Sequence, residues 1–311
     1  MCISKPITII SAPTSLGLRP NNDGLEPTTW QAPDLYLQSG FSEKIKAKII
    51  RLEHPKYDFD AQFGTKIRNG LSIRAYSLQL AAQVTETLLS GNTPIVLGGD
   101  CSILLGCLLG ARRAGGRGLV HVDGHCDYFH LGNYDITSRL GTVAGMDLAL
   151  ATGKGELLLT HWNEVDCPLV LETEAFHIGE RNFGTEVFEN AYGDIVSSKI
   201  TMIPLQKLLE DGPAITAHRI VNELNKQNLS KVWLHIDFDI LDQLVMPAVD
   251  SPGSPGLKFD ELEELLLTLL KCNRFIGLDV TIYDPGLDVE HKYLPALTEI
   301  IEKCSLEISN N

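Results

Sequence analysis

Short β-branched runs alternate along the chain with longer amphipathic patterns, and this alternation constrains the fold more than any other feature. Apolar residues recur at spacings of three and four over residues 73–90 and 259–271, which is typical of helices. Strands that alternate with helices predict a parallel sheet covered by helices on both faces, hence an α/β fold. The runs predicted as strands are residues 7–11, 95–97, 118–122, 175–178, 200–203, 232–236 and 275–278.

The chain contains no long linker rich in proline, serine and glycine, so its 311 residues are predicted to form a single domain spanning 1–311. The net charge of −14 argues against a nucleic-acid partner, which usually requires a basic surface. Apolar stretches are short or interrupted by charge, and the first residues do not resemble a cleaved leader. We therefore expect a cytoplasmic protein with a small-molecule substrate and no membrane partner.

Residues suited to chemistry cluster directly after three of the predicted strands. The clusters are GGDCS at 98–102, DGHCD at 123–127 and DFDILD at 237–242. Open α/β sheets bind their ligands at the carboxyl ends of parallel strands, so all three clusters are expected at one edge of the sheet. Any single aspartate of this kind commonly caps a helix or closes a turn, but three clusters that each follow a strand favour a functional site.

Alternation along an extended backbone predicts that Asp123, His125 and Asp127 point to one side, and that Asp237 and Asp239 share a side. Four carboxylates in one pocket repel one another strongly. A divalent cation relieves that repulsion, and a carboxylate-rich set with an imidazole suits Mn²⁺, Zn²⁺, Fe²⁺ or Co²⁺. The sequence therefore predicts a site for one or two metal ions.

At these same clusters the chain resembles the ureohydrolase superfamily, which includes arginase, agmatinase, guanidinobutyrase and formimidoylglutamase. The resemblance runs through several motifs in order. GGDCS resembles GGDHS, DGHCD resembles DAHxD, HIDFDILD at 235–242 resembles SxDxDxxDP, HIGER at 177–181 resembles the IGxR strand end, and GLDV at 277–280 followed by DP at 284–285 is similar to GLDIVEVNP.

The resemblance implies a single α/β domain, a three-layer sandwich with a mainly parallel eight-stranded sheet, assembled as a homo-oligomer that is a trimer or hexamer. It also implies a centre of two metal ions, typically Mn²⁺, whose bridging hydroxide attacks a guanidinium or amidine carbon. Carried over by position, Asp123 and Asp237 bridge both ions. His125 and Asp239 complete one site, and Asp127 and Cys101 complete the other.

Cys101 departs from the family pattern, because a histidine ligand normally occupies its position. A thiolate is softer and anionic, so it should shift the preference from Mn²⁺ towards Zn²⁺, Fe²⁺ or Co²⁺. The alternative is that Cys101 is a small buried residue and that this half of the centre holds no ion.

Three further departures concern catalysis and substrate. The family's proton-transfer histidine falls near residues 142–144, where this chain has none, and His130 is the histidine that could supply an imidazole from another direction. We take Asp127 and His130 as the candidate catalytic residues. Ile282 replaces the glutamate that holds a guanidinium, and residues 182–184 lack the acidic groups that hold the α-amino group of arginine.

The leading hypothesis is a divergent metal-dependent hydrolase that cleaves a C–N bond of a guanidine, hydroxyguanidine, formimino or related amidine, and not of L-arginine. A branch of the family that cleaves hydroxyguanidines also carries cysteine at the GGDxS position. One alternative is a single-metal hydrolase, since aspartate and histidine ligands on a related fold also serve deacetylases. Another is a catalytically inactive paralogue that acts as a structural or regulatory subunit.

Overall fold

Eight strands form one sheet in which every neighbouring pair is parallel, in the order β2-β1-β3-β8-β7-β4-β5-β6. This architecture comes from a computed structural model that describes residues 4–134, 137, 139–163, 165 and 168–310. The strands are β1 (Ile7–Ala12), β2 (Lys48–Arg51), β3 (Thr93–Gly98), β4 (Gly118–Val122), β5 (Ala175–Ile178), β6 (Thr201–Ile203), β7 (Val232–Asp237) and β8 (Phe275–Thr281).

Helices cover both faces of the sheet, as the alternating pattern predicts. Those within the described residues are α1 (Ala32–Gln38), α2 (Phe41–Lys44), α3 (Gly70–Leu89), α4 (Ile103–Arg113), α5 (Asp147–Ala151), α6 (Leu157–Thr160), α7 (Glu186–Tyr192), α8 (Leu205–Asp211), α9 (Pro213–Lys226), α10 (Phe259–Leu270) and α11 (Leu294–Ser309). Short 3₁₀ turns occupy Thr28–Gln31, Val143–Gly145, Glu172–Glu174, Gly193–Ser197, Phe238–Ile240 and Pro285–Leu287.

Two hydrophobic cores lie on opposite faces of the sheet because side chains alternate along each strand. In β3, Ile95 and Leu97 belong to the core beneath α1, α2 and α8–α11, whereas Val96 belongs to the core beneath α3–α7. The result is the three-layer arrangement that the resemblance implies, with an eight-stranded parallel sheet in the middle.

The predicted strands all occur, and most differ from the observed ones only by a few residues at their ends. β2 was not predicted. It has four residues, Lys48–Arg51, its outer two are exposed, and it pairs on one side only, with β1. A short edge strand buries few side chains and therefore leaves a weak apolar pattern in the sequence. No helix among the described residues is long and apolar enough to cross a membrane.

Candidate metal centre

The predicted metal ligands meet at the carboxyl ends of four neighbouring strands, β3, β8, β7 and β4. Cys101 lies in the turn between β3 and α4, while Asp123, His125 and Asp127 follow β4. Asp237 is the last residue of β7, and Asp239 lies in the 3₁₀ turn after it. β8 separates β3 from β7 and contributes Thr281 to the space between them.

Turns, rather than extended backbone, bring the side chains together. β4 ends at Val122, and Asp127 has a φ of +42°. His125 and Asp127 line the same cavity, whereas Cys126 is buried with its backbone N–H donating to Glu180 at 2.8 Å. The sequence therefore predicts which side chains share a side, but the backbone here turns, whereas the prediction assumed that it was extended.

One half of the site, which we call the outer group, consists of Asp123, His125 and Asp239. His125 Nδ1 lies 2.8 Å from Asp239 Oδ2, and the backbone N–H of His125 donates to Asp123 Oδ1 at 2.6 Å. Burial favours the neutral form of Asp239, but His125 and Arg181 outweigh it and lower the pKa of this carboxyl. Burial lowers the pKa of His125, but Asp239 outweighs it, so that the net shift is upward.

Arg181 reaches the outer group because residue 124 is glycine. A Cβ at that position would lie 1.9 Å from Arg181 Nη2. The guanidinium donates to the backbone carbonyls of Gly124 and Asp239, and Nη2 lies 3.7 Å from Asp239 Oδ1. Arg181 thus supplies a fixed positive charge beside this half of the site.

The other half, the Cys101 group, consists of Cys101, Asp127 and Asp237. The Cys101 thiol donates to Asp237 Oδ2 at 2.8 Å, and the Thr281 hydroxyl donates to the same oxygen at 3.1 Å. Burial and the neighbouring carboxylates, Asp237 first, raise the pKa of Cys101 well above its usual value. Without a cation, Cys101 is therefore a neutral thiol.

Carboxyls of the Cys101 group also hold their protons tightly. Burial and Asp239 raise the pKa of Asp237 to about 7, although the hydrogen bond from the Cys101 thiol lowers it in part. Burial and Asp147 raise the pKa of Asp127 well above its usual value. Asp127 and Asp237 are thus poorly compensated by the protein alone.

The donor set fits divalent cations. Asp123 Oδ2 and Asp147 Oδ2 are buried without a hydrogen-bond partner among the described residues, which is costly for a carboxylate unless an ion or a proton compensates. Ligand atoms of the outer group lie within 4.8 Å of one another, as do those of Cys101, Asp127 and Asp147. Oxygen, imidazole nitrogen and thiol sulfur together suit transition metals such as Zn²⁺, Fe²⁺, Co²⁺ or Mn²⁺.

A cavity of about 250 Å³ opens onto both halves of the site. Phe129, Met146, Tyr192 and Ile282 provide apolar surface around it. Its lining residues from the two halves of the site are Cys101, His125, Asp127, Asp237 and Asp239.

Three arginines also line this cavity, namely Arg19, Arg68 and Arg139. Arg19 and Arg139 are exposed, whereas the metal-ligand candidates are mostly buried. Among the described residues, none of the three arginines forms an ion pair with a carboxylate. The cavity therefore joins an acidic interior to a basic outer part.

Two departures from the family pattern prove to lie on the cavity wall. Ala144, near the position of the family's histidine, and Ile282, at the position of its glutamate, both line the cavity. Ile282 is 2% exposed and has a φ of +77°, a strained conformation for a β-branched residue. Both departures therefore change the chemistry of the site itself.

His130 is not brought to this site. Its Nε2 lies 2.5 Å from Asp194 Oδ2, and its Nδ1 accepts a hydrogen bond from the backbone N–H of Gly132. It is not among the described residues that line the cavity. Its catalytic role stays a prediction from sequence.

Sequence reasoning missed a second layer beneath the site, formed by buried histidines and by Asp147. His121 and His235 lie two residues before Asp123 and Asp237, within β4 and β7, and are fully buried. The signal that could have revealed them is a short repeat, HVD at 121–123 and HID at 235–237, at the ends of two strands. Asp147 gave no such signal, because it begins a short helix far from the motifs.

Comparison with known proteins places the chain in one family. The sequence model of the arginase family matches residues 28–305. The chain is 25% identical over 307 residues to the arginase of Bacillus caldovelox, covering 93% of this chain and 94% of that one. It is 27% identical over 292 residues to arginase-1 of Rattus norvegicus, covering 91% and 86% of the two chains.

Solved structures agree with this assignment of fold. The arginase structure from Bacillus caldovelox has a TM-score of 0.82 at 24% identity, with 96% of this chain and 98% of that chain covered. Formimidoylglutamase from Bacillus subtilis has a TM-score of 0.74 at 17% identity, with 98% and 87% covered. This chain belongs to the arginase family of hydrolases, and the predicted membership of the ureohydrolase superfamily is confirmed.

Proposed function

We propose that this protein is a metal-dependent hydrolase that cleaves a C–N bond of a guanidine, hydroxyguanidine, formimino or related amidine other than L-arginine. The observation that supports this most is the convergence of the outer group and the Cys101 group on one cavity, which Cys101, His125, Asp127, Asp237 and Asp239 all line. A structural role alone gives no reason to bury so many carboxylates together.

We assign six residues as the ligands that would hold the cations, as the resemblance implies. They are Cys101, Asp123, His125, Asp127, Asp237 and Asp239. The chemistry that divalent cations supply in such a site is activation of water at neutral pH and polarisation of the bond to be cleaved. Mn²⁺ is the ion that the family implies, and the Cys101 thiol favours Zn²⁺, Fe²⁺ or Co²⁺ instead.

Asp127 is the residue to which we assign proton transfer. Its carboxyl lines the cavity beside His125 and Asp239, where a carboxylate oxygen can face a bound substrate and accept or return a proton. Ala144 lines the same cavity and offers no titratable group. We keep His130 as a second candidate. An unchanged kcat in His130→Ala would remove it, whereas loss of proton transfer should cost about 100-fold.

The substrate we propose has a weakly basic amidine head and an anionic tail. Ile282 cannot pair with a cationic head group, so a strongly basic guanidinium would lose a charge-assisted hydrogen bond there. A hydroxyguanidine is less basic than a guanidine. Arg19, Arg68 and Arg139 present guanidinium forks at the outer part of the cavity, and these are suited to a carboxylate.

The test combines metal content with a substrate panel. Elemental mass spectrometry on protein purified without chelator should give at least two ions per chain, and the same protein should hydrolyse a hydroxyguanidine or formimino acid faster than arginine. The matched variant His125→Asn should lose metal and activity together. A chain that binds no metal and cleaves nothing in the panel would overturn the proposal and favour the inactive paralogue. A full complement of metal with activity on L-arginine would overturn the substrate assignment alone.

A further inference from the structure

A row of polar residues crosses the middle of the sheet just beneath the candidate centre. His177 of β5, His121 of β4, His235 of β7 and Asp279 of β8 occupy matching register positions on four adjacent strands. All four are 0% exposed. Polar groups buried this completely need partners, so each ring nitrogen can be followed to the atom that faces it.

On one side of each imidazole, the partner is present. His235 Nδ1 lies 2.6 Å from Asp279 Oδ2, and the same aspartate accepts a hydrogen bond from Trp233 at 2.5 Å. His121 Nδ1 lies 3.0 Å from His177 Nδ1. These contacts fix the orientation of the His121 and His235 rings, and they direct the Nε2 atoms of these two rings into the same space.

On the other side, two carboxylates face those nitrogens. His121 Nε2 lies 3.7 Å from Asp123 Oδ2 and 3.3 Å from Asp147 Oδ1. His235 Nε2 lies 3.8 Å from Asp147 Oδ2. Ligand atoms of His121, Asp123 and His235 all lie within 4.8 Å of one another. We call His121, Asp123, Asp147 and His235 the inner group.

Three of these inward-facing atoms lack a hydrogen-bond partner among the described residues. They are Asp123 Oδ2, Asp147 Oδ2 and His235 Nε2, and each belongs to a side chain that is at most 1% exposed. The separations of 3.7 Å and 3.8 Å are too long for hydrogen bonds, and the contact of 3.3 Å between His121 and Asp147 is a long one. Tetrahedral bonds of 2.0–2.1 Å to Zn²⁺ would hold ligand atoms about 3.3 Å apart, so one separation already has this value and the other two are a few tenths of an ångström longer.

We propose that the inner group is a separate divalent-cation site with two imidazole and two carboxylate ligands, suited to Zn²⁺ or Co²⁺. Each ligating histidine has its other nitrogen fixed by a buried partner, as is usual for metal-bound histidines. Asp123 directs Oδ1 to the His125 backbone and Oδ2 to the inner group, so it connects this site to the outer group. The inference extends the proposed function by adding a structural ion beneath the catalytic ones, and it needs no turnover to be tested.

The competing occupant of this space is a proton. A protonated His235 paired with Asp147 and Asp279 would also compensate the buried charges. The family motif has serine at the position of His235, so His235→Ser is the substitution least foreign to the fold. His177→Ser is a milder test of the same site, because it removes the buried partner that orients His121 without removing a ligand.

The experiment loads metal-free protein with Co²⁺ and records the visible absorption together with the number of ions bound. Tetrahedral Co²⁺ absorbs much more strongly in the visible than octahedral Co²⁺. We expect the wild type to show an intense visible band from tetrahedral Co²⁺. His235→Ser and Asp147→Asn should each lose this band and should each bind one ion fewer per chain. His177→Ser should weaken Co²⁺ binding at the inner group without abolishing it. The control is His125→Asn, which removes a ligand of the outer group and should therefore keep the intense band while losing an ion of the outer group.

Three results separate this inference from the proposed function. Loss of ions in His125→Asn with no change in His235→Ser would overturn the inner site and leave the hydrolase proposal intact. A wild type that binds Co²⁺ without a tetrahedral spectrum would also overturn it. If His235→Ser fails to fold, X-ray absorption at the zinc edge of the wild type decides, because the site requires two imidazole nitrogens on one zinc ion.

Discussion

The outer group and the Cys101 group are both rich in carboxylate, yet the protein compensates them differently. In the outer group, His125 and Arg181 lower the pKa of Asp239 and keep it ionised. In the Cys101 group, the donors to Asp237 are a thiol, a hydroxyl and a backbone N–H, none of them charged, and the pKa of Asp237 is raised to about 7. The pair of His125 and Asp239 is thus organised before any ion arrives, whereas Asp123 and the carboxyls of the Cys101 group require a cation to become fully ionised.

Asp239→Asn should have the largest effect on the difference between the two groups. It removes the partner of His125 and the charge facing Arg181 in one step. We expect loss of an ion and a fall in kcat/KM of about 1,000-fold. Removal of one group that organises an active site has an effect of this size. Metal content and turnover of the best panel substrate measure the effect.

Asp242→Asn is the control for that variant, because Asp242 also follows β7 but bonds to Leu244 and Ser254 outside the cavity. Similar losses in the two variants would mean that Asp239 acts through folding and not through the site.

Metal-free protein should lose stability as the pH rises, because the poorly compensated groups bind protons more tightly when folded. The pKa of Asp147, raised mainly by burial, and that of Asp237 are both about 7, against 3.8 ordinarily. Folded carboxyls with raised pKa values stabilise the protein at low pH, and this contribution is lost as the pH passes through 7. We expect the melting temperature to fall by about 5 °C between pH 5.5 and pH 8.5.

Calorimetry with and without Zn²⁺ checks this pH dependence. Added metal should raise the melting temperature more at pH 8.5 than at pH 5.5, since cations compete with protons for these ligands. Asp147→Asn should flatten the metal-free profile. A melting temperature that rises across this range without metal would contradict the expected compensation.

Cys101→Ser sharpens the comparison by testing whether the thiol is a ligand. We expect the affinity for Zn²⁺ at the Cys101 group to fall by about tenfold or more, because a hydroxyl is a harder and weaker ligand than a thiolate. Isothermal titration gives the affinity, and the sulfur-to-cobalt charge-transfer band should disappear from the Co²⁺ spectrum. Cys107→Ser is the matched control, since Cys107 is equally buried within α4. Unchanged values in Cys101→Ser would mean that Cys101 is only a small buried residue.

Arg139→Gln should have the smallest effect, because Arg139 is an exposed residue of the cavity wall and is not among the proposed ligands. For a substrate with an anionic tail we expect KM to rise by about fivefold with kcat unchanged, consistent with loss of one exposed charge contact of about 1 kcal/mol. An uncharged ester of the same substrate should show no difference between the two proteins. A fall in kcat with either substrate would place Arg139 in catalysis instead of binding.

Much of the fold and part of the site follow from local patterns in the sequence. The apolar runs mark the strands, and the motifs after β3, β4 and β7 identify side chains that the structure brings to one cavity. Local patterns contain no information on partners distant in sequence. Asp147 reaches His121 and His235 through tertiary packing, and Asp194, which is 64 residues from His130, directs that imidazole away from the cavity.

The order of strands has a consequence for how the site is made. β8 is the last strand in the chain, but it lies between β3 and β7 at the centre of the sheet. During synthesis, β3 and β7 leave the ribosome before β8 exists, so the contact between Cys101 and Asp237 cannot form until residues 275–281 have emerged and inserted. A nascent chain that lacks β8 therefore has two central strands that each lack a partner on one edge, and its ligands, although already synthesised, are held apart. The complete metal site can form only after translation has passed the last strand of the sheet.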